Sequence, residues 1–299
     1  MATATTPLPR ATGPTTGGVE SPGSEARHEG FARPAALPED HTISIDLAFS
    51  DTGSGRPLVI LHGLFGSKRN WASIAHRLAA GRRVIVPDMR NHGESPWDPR
   101  HDYPAMADDV ADLIARQIGP PADVIGHSMG GKAAMTLALT RPELVRRLIV
   151  VDIAPAPSTG TPVEYVRALK AVPLNQYSQR LDVKEALAAA IPDPAVRGFL
   201  TLNLTSGSDG FAWTVNLDAL EANFEAILGF PEVPAGWRFT GPTLFLTGGR
   251  SPYVQPEHRP EIERLFPAAT FEVIADAGHW VHADAADAFV AVCERFLGR

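Results

Sequence analysis

Apolar and polar residues are patterned along this chain in three distinct ways. In "TISIDLAFS" they alternate, so that Ile43, Ile45, Leu47 and Phe49 share one side, which predicts a strand with one buried face before the turn "DTGSG". Next come short, nearly continuous aliphatic runs, each followed by a stretch of helical period. "PLVILHG" precedes "NWASIAHRLAAG", "RRVIVPD" precedes "YPAMADDVADLIARQIG", and "ADVIGHS" precedes "MGGKAAMTLALT". "VRRLIVVDIAP" closes the series. Aliphatic strands alternating with helices predict a mostly parallel sheet covered on both faces.

That alternation stops after residue 155. Residues 156–240 hold helical pieces such as "VEYVRALKAV" and "VKEALAAAI", with little strand signal. The sheet pattern resumes at "GPTLFLTGG" and continues through "EIERLF", "TFEVIA" and a final helix, "DAADAFVAVCERFL". A connection of this length between two strands is too long for an ordinary crossover and predicts a helical lid over the strand ends. The first 40 residues are rich in Thr, Pro, Gly and Ala without a periodic apolar face, which predicts a disordered tail. The expected organisation is a tail over 1–40, an α/β core over 41–155 and 241–299, and a lid over 156–240.

Composition narrows the function classes. A chain of 299 residues that is 44% hydrophobic and 20% charged buries a sizeable core. A net charge of -7 without any basic cluster argues against nucleic acid and anionic membrane as partners. No apolar run is long enough to span a bilayer, and no apolar h-region marks a secretory signal. A cytoplasmic protein is expected, or a mitochondrial one in a eukaryote, although Arg10 alone among basic residues precedes the first acid, Glu20. The single cysteine, Cys293, excludes an intramolecular disulfide and reads as a small apolar residue of the last helix.

Three motifs carry chemistry. "DVIGHSMGGK" holds G-x-S-x-G at Gly126, Ser128 and Gly130, after a strand and before a helix. That context predicts a tight strand-to-helix elbow presenting Ser128 as a nucleophile, with the helix N-terminus facing the reacting centre. "LHGLFGS" ends another strand and predicts an oxyanion-holding loop. The donors expected are the backbone N–H groups of Met129 and, by position, Leu64, with Phe65 next; His62 is read as holding the loop. "ADAGHWVHAD" offers His279 as the base after the last strand, with His282 as its rival. His92, His101, His127 and His258 are read as loop-fixing or solvated, with His127 pointing away from the nucleophile. Asp88, Arg90 and Ser95 of "PDMRNHGES" are read as a structural network.

A base needs a carboxylate on its other ring nitrogen. Asp152 ends the Ile-Val-Val strand after the nucleophile helix, where a charge is otherwise out of place, and is the expected acid. Asp218 in "WTVNLDALEAN" is the alternative, although in isolation it reads as a helix N-cap.

Together "HGLFGS", "DMRNHGES", "YPAMADDV", "GHSMGGKAAM", "VVDIAP", "GGRSPYV" and "AGHWVHA" resemble the α/β-hydrolase superfamily. Within it they are similar to the YbfF-type bacterial esterases and to the mitochondrial proteins of the alpha/beta hydrolase domain-containing eleven type. The resemblance implies a Ser–Asp–His esterase needing no cofactor or metal, acting on acyl esters or thioesters as small-molecule substrates. Such hydrolases commonly keep the acid in the turn that here reads "GGRS", with Ser251 at its place; the resembling branch lacks it there and keeps one corresponding to Asp152. Some relatives place the acid at the position of Asp218. The expected activity is carboxylic-ester hydrolysis through an acyl-enzyme. A thioesterase or carbon–carbon bond hydrolase with the same triad is the first alternative, and a low-turnover binding protein on the same fold the second. The sequence gives no reading of oligomeric state.

Overall fold

A seven-stranded sheet organises the chain, its strands standing in the order β1 (Phe49–Gly53), β3 (Arg82–Pro87), β2 (Arg56–Leu61), β4 (Ala122–His127), β5 (Val145–Val151), β8 (Thr243–Gly248) and β9 (Ala269–Ile274). The computed structural model describes residues 1–2, 44–158, 162–208 and 210–298. The chain divides between Glu39 and Asp40; the expected tail beyond its first two residues, and the first two residues of "TISIDLAFS", lie outside the described residues.

The aliphatic runs become β2 (Arg56–Leu61), β3 (Arg82–Pro87), β4 (Ala122–His127) and β5 (Val145–Val151). After the interruption follow β8 (Thr243–Gly248) and β9 (Ala269–Ile274). All six run parallel. β1 (Phe49–Gly53) is the antiparallel edge, paired with β3. Sandwiching helices bury the sheet on both faces, the reason the strands are aliphatic without alternation. One face is covered by α2 (Tyr103–Leu113), α3 (Met129–Thr140) and α9 (Arg259–Leu265). The other is covered by α1 (Ala72–Leu78) and α10 (Ala286–Leu297). Cys293 lies fully buried on this second face, and burial pushes its thiol pKa up. No helix among the described residues is long and apolar enough to cross a membrane.

The first strand is shifted from its expected place. Ile45, Leu47 and Phe49 do turn toward the core, but pairing starts only at Phe49 and runs through part of the expected turn. The reason is local. Ile45 N–H donates to Asp109 Oδ1 at 2.8 Å and Ala48 N–H to Ser95 Oγ at 2.9 Å, so side chains take the bonds that a neighbouring strand would supply.

Between β5 and β8 lie α4 (Pro162–Ala171), α5 (Arg180–Ala186), α6 (Pro194–Leu200), α7 (Leu217–Ala222) and α8 (Phe224–Leu228). A hairpin of β6 (Leu204–Gly207) and β7 (Gly210–Trp213) interrupts them, which the helical reading of this stretch missed. Four-residue strands carry too few alternations to register as a period. The stretch has an apolar cluster of its own, into which Phe65 of the β2 loop inserts.

Candidate active site

Ser128 stands at a tight corner between β4 and α3. It leaves β4 with φ 53° and ψ -119° and serves as N-cap of α3, a strained conformation of the sort that costs about 1–3 kcal/mol and gathers at functional sites. The glycines around it are sterically required. A Cβ on Gly126 would lie 2.3 Å from the Gly130 carbonyl oxygen, and one on Gly130 would lie 2.5 Å from that of Leu61. With those Cβ atoms missing, the corner closes and the Ser128 hydroxyl projects over the ends of the strands.

His279 follows β9 and meets Ser128 across the sheet. Its Nε2 accepts from Ser128 Oγ at 3.1 Å, and its Nδ1 donates to Asp152 Oδ2 at 2.7 Å. Asp152 sits just past β5, fully buried and also at φ 53°. Three donors satisfy its carboxylate: His279 Nδ1 and Ser251 Oγ on Oδ2, and Gly248 N–H on Oδ1 at 3.1 Å. A buried carboxylate is tolerated when its oxygens are this fully bonded. Asp218 is elsewhere. Its side chain is 86% exposed in the first turn of α7 and pairs with Lys170 at 2.6 Å, so it makes no contact with His279.

His282, the rival base, makes no hydrogen bond to Ser128, whose hydroxyl donates to His279 instead. The His282 ring stacks on Trp71 at 3.9 Å between centroids, and burial, with the charge of His279 next, pushes its pKa down to about 3. His127 turns away from Ser128 yet touches the base: its Nε2 donates to the His279 carbonyl at 2.8 Å. Burial and the neighbouring His279 and His282 hold it neutral. His258 caps a short turn, accepting from Gln255 N–H.

The loop after β2 is held by neutral imidazoles of fixed tautomer. His62 donates from Nδ1 to the Gly63 carbonyl and accepts from Met89 N–H on Nε2, at 2.8 and 2.9 Å. His92 donates to the Arg90 carbonyl and accepts Phe65 N–H at 3.2 Å. Asn203 Nδ2 donates to the Phe65 carbonyl at 2.7 Å, so Phe65, at φ 60°, is bonded on both sides. Its N–H is therefore spent. Among the described residues the N–H groups of Leu64 and Met129 have no partner, and both residues line the space in front of Ser128. His101 lies beside this loop, its Nδ1 accepting from Asn91 Nδ2 at 3.3 Å. Asp88, Arg90 and Ser95 form the support beneath. Asp88 binds Lys68 Nζ at 2.6 Å, Arg90 holds Asp109 at 2.7 and 2.9 Å, and Ser95 Oγ donates to the Asp88 carbonyl.

A family model described as the alpha/beta hydrolase fold matches residues 56–286. The chain belongs to the α/β-hydrolase family. This α/β hydrolase is 44% identical over 261 residues to the sn-1-specific diacylglycerol lipase ABHD11 of Xenopus tropicalis, covering 84% of the chain and 81% of that protein. To the esterase YbfF of Escherichia coli (strain K12) it is 37% identical, covering 81% of the chain and 92% of the relative. A solved marine microorganism esterase superposes with a TM-score of 0.81 at 36% identity, covering 85% of this chain and 100% of its own.

The hydrolase also carries site features that motif reading passed over. A cavity of about 400 Å³ opens in front of Ser128 and His279 and is walled on the far side by Tyr165, Val196, Phe199 and Ile227. Tyr253, two residues past Ser251, stacks on the His279 ring at 4.1 Å between centroids. Lys132, fully buried, also lines the cavity. Only its spacing from Ser128, four residues along a helix, could have pointed to it. Tyr253 follows the turn by two residues, a spacing that implies no contact with a histidine 26 positions away.

Proposed function

We propose that this α/β hydrolase cleaves carboxylic esters through a covalent acyl-enzyme, with Ser128 as nucleophile, His279 as base and Asp152 as the orienting acid. The observation that carries the reading is the continuous hydrogen-bond path from Ser128 Oγ to His279 Nε2 at 3.1 Å and from His279 Nδ1 to Asp152 Oδ2 at 2.7 Å. The relatives named an esterase and a diacylglycerol lipase are ester hydrolases by name, which supports it.

In this mechanism the Ser128 hydroxyl adds to the ester carbonyl while His279 Nε2 takes its proton. The imidazolium formed is stabilised by Asp152 and then protonates the departing alcohol. The N–H groups of Leu64 and Met129 bond the developing oxyanion, for which their unpaired state prepares them. Water, activated by the same imidazole, releases the acid and restores Ser128. Residues 156–240 act as the lid that closes the acyl pocket. The cavity's mixed aromatic and aliphatic wall suits a small or medium acyl chain.

A fluorophosphonate probe, which reacts only with activated serines, tests the reading together with hydrolysis of a short acyl ester. The wild-type chain labels and turns over. Ser128→Ala does neither, losing roughly 10⁶-fold in kcat. A wild-type protein that neither labels nor turns over is a binding protein on this fold.

A further inference from the structure

Lys132 is a buried cation in the acyl pocket that the mechanism above does not use. It lies one helical turn beyond Ser128 on α3, its N–H donating to the Ser128 carbonyl at 3.1 Å, so the two side chains leave the same face of the helix. The residue is 1% exposed. Two of its ammonium N–H groups donate to the carbonyls of Leu228 and Gly229 at 2.7 and 2.6 Å. Among the described residues no carboxylate lies within ion-pair distance of Nζ, whereas the equally buried Arg90 has Asp109 at 2.7 Å.

A buried charge without a counter-ion costs several kcal/mol, an expense an aliphatic side chain would avoid. Burial accordingly pushes the Lys132 pKa down to about 7. Fastening α8 does not explain the charge. Tyr103, a neutral hydroxyl, fastens the preceding carbonyl of the same helix end, that of Ile227, at 2.5 Å. What a cation adds over a hydroxyl is attraction for an anion.

We propose that Lys132 selects esters whose acyl chain carries a second carboxylate, the distal acid pairing with Nζ while the scissile carbonyl sits at Ser128. Ser128 and Lys132 line one cavity of about 400 Å³, room for monoesters of five- and six-carbon aliphatic diacids. Ser128 displaces the alcohol from the scissile carbonyl as before, and water then cleaves the acyl-enzyme ester, releasing the free diacid and restoring the serine. The inference rests on the ester-hydrolase reading and deepens it.

The test uses the whole chain and monomethyl glutarate and adipate beside methyl valerate and hexanoate, matched in chain length and followed by acid release. Wild type is expected to favour the diacid monoesters at least tenfold in kcat/KM. Lys132→Met collapses that ratio to near one or below. Tyr103→Phe, which removes the neighbouring fastening without touching charge, keeps it. A wild-type ratio near one overturns the inference however the variants fold, as does a Lys132→Met enzyme retaining the wild-type ratio. Hydrolysis of the neutral esters with no preference leaves the ester-hydrolase reading standing, whereas failure of all four substrates together with absent fluorophosphonate labelling overturns both.

Discussion

Ser251 Oγ donates to Asp152 Oδ2, the same carboxylate oxygen that accepts from His279 Nδ1. The two residues are 99 positions apart in sequence and meet because β5 and β8 are parallel neighbours whose tips lie side by side. The turn after β8 thus contributes a donor, and the carboxylate stands on the next strand tip. A serine there carries no charge with which to replace an acid, but it fixes the carboxylate that holds the imidazole.

Replacing Ser251 by Ala leaves Asp152 with two of its three donors. A hydrogen bond to a charged group is worth about 1.5–3 kcal/mol, so kcat is expected to fall about tenfold or more, with KM nearly unchanged. Steady-state kinetics on a short acyl ester decides it. A change confined to KM would mean that Ser251 acts on the substrate instead.

Asp152→Asn is expected to lower kcat by roughly 10³–10⁴-fold, because an amide can hold the ring in the wrong tautomer and cannot stabilise the imidazolium. Asp218→Asn, whose side chain faces solvent beside Lys170, is expected to stay within about twofold of wild type. Adding Ser251→Asp to Asp152→Asn returns a carboxylate to the adjacent turn and is expected to recover at least tenfold. Loss of activity in Asp218→Asn alone would move the acid to the stretch between β5 and β8.

His92 accepts the Phe65 N–H only as a neutral ring. Burial, with the charge of His62 next, lowers its pKa from the ordinary 6.5 to about 3. Between these values the unfolded chain binds a proton that the folded one refuses, so stability is full above pH 6.5 and declines as pH falls toward 3. The loss is on the order of a few kcal/mol. Urea midpoints measured from pH 7 down to pH 4 should fall, and His92→Gln should flatten that slope while lowering kcat by loosening the oxyanion loop. Parallel slopes in the two proteins would remove His92 from the account.

The elbow glycine Gly126 tolerates no side chain, since its Cβ would meet backbone at 2.3 Å. Gly126→Ala is expected to cost at least about 2 kcal/mol and most of the activity. Gly207→Ala, where a Cβ meets nothing within 4 Å, is expected to change stability by less than about 0.5 kcal/mol. Thermal melts of the two variants check this, and equal melting temperatures would show that the corner relaxes.

Much of this protein was legible residue by residue. A strand that is aliphatic on both faces, a glycine-flanked serine before a helix and a histidine after the last strand are local signals, set by side-chain period and backbone sterics over a few positions. They determined the alternation of strands with helices, the elbow at Ser128 and the neighbourhood of His279. The early strand was misplaced because its first N–H groups are taken by Asp109 and Ser95, residues far along the chain.

Which acid stands beside His279, whether Phe65 or Leu64 keeps a free N–H, and why Tyr253 and Lys132 belong to the pocket were decided only in three dimensions. Each depends on a partner brought from a distant strand tip or loop: Asp152 from beside β8, His92 against Phe65, the Tyr253 ring on His279, the end of α8 against Lys132. A sequence lists the donors and acceptors, but hydrogen bonds and ring contacts form within a few ångströms, and only the folded sheet determines which of them come that close.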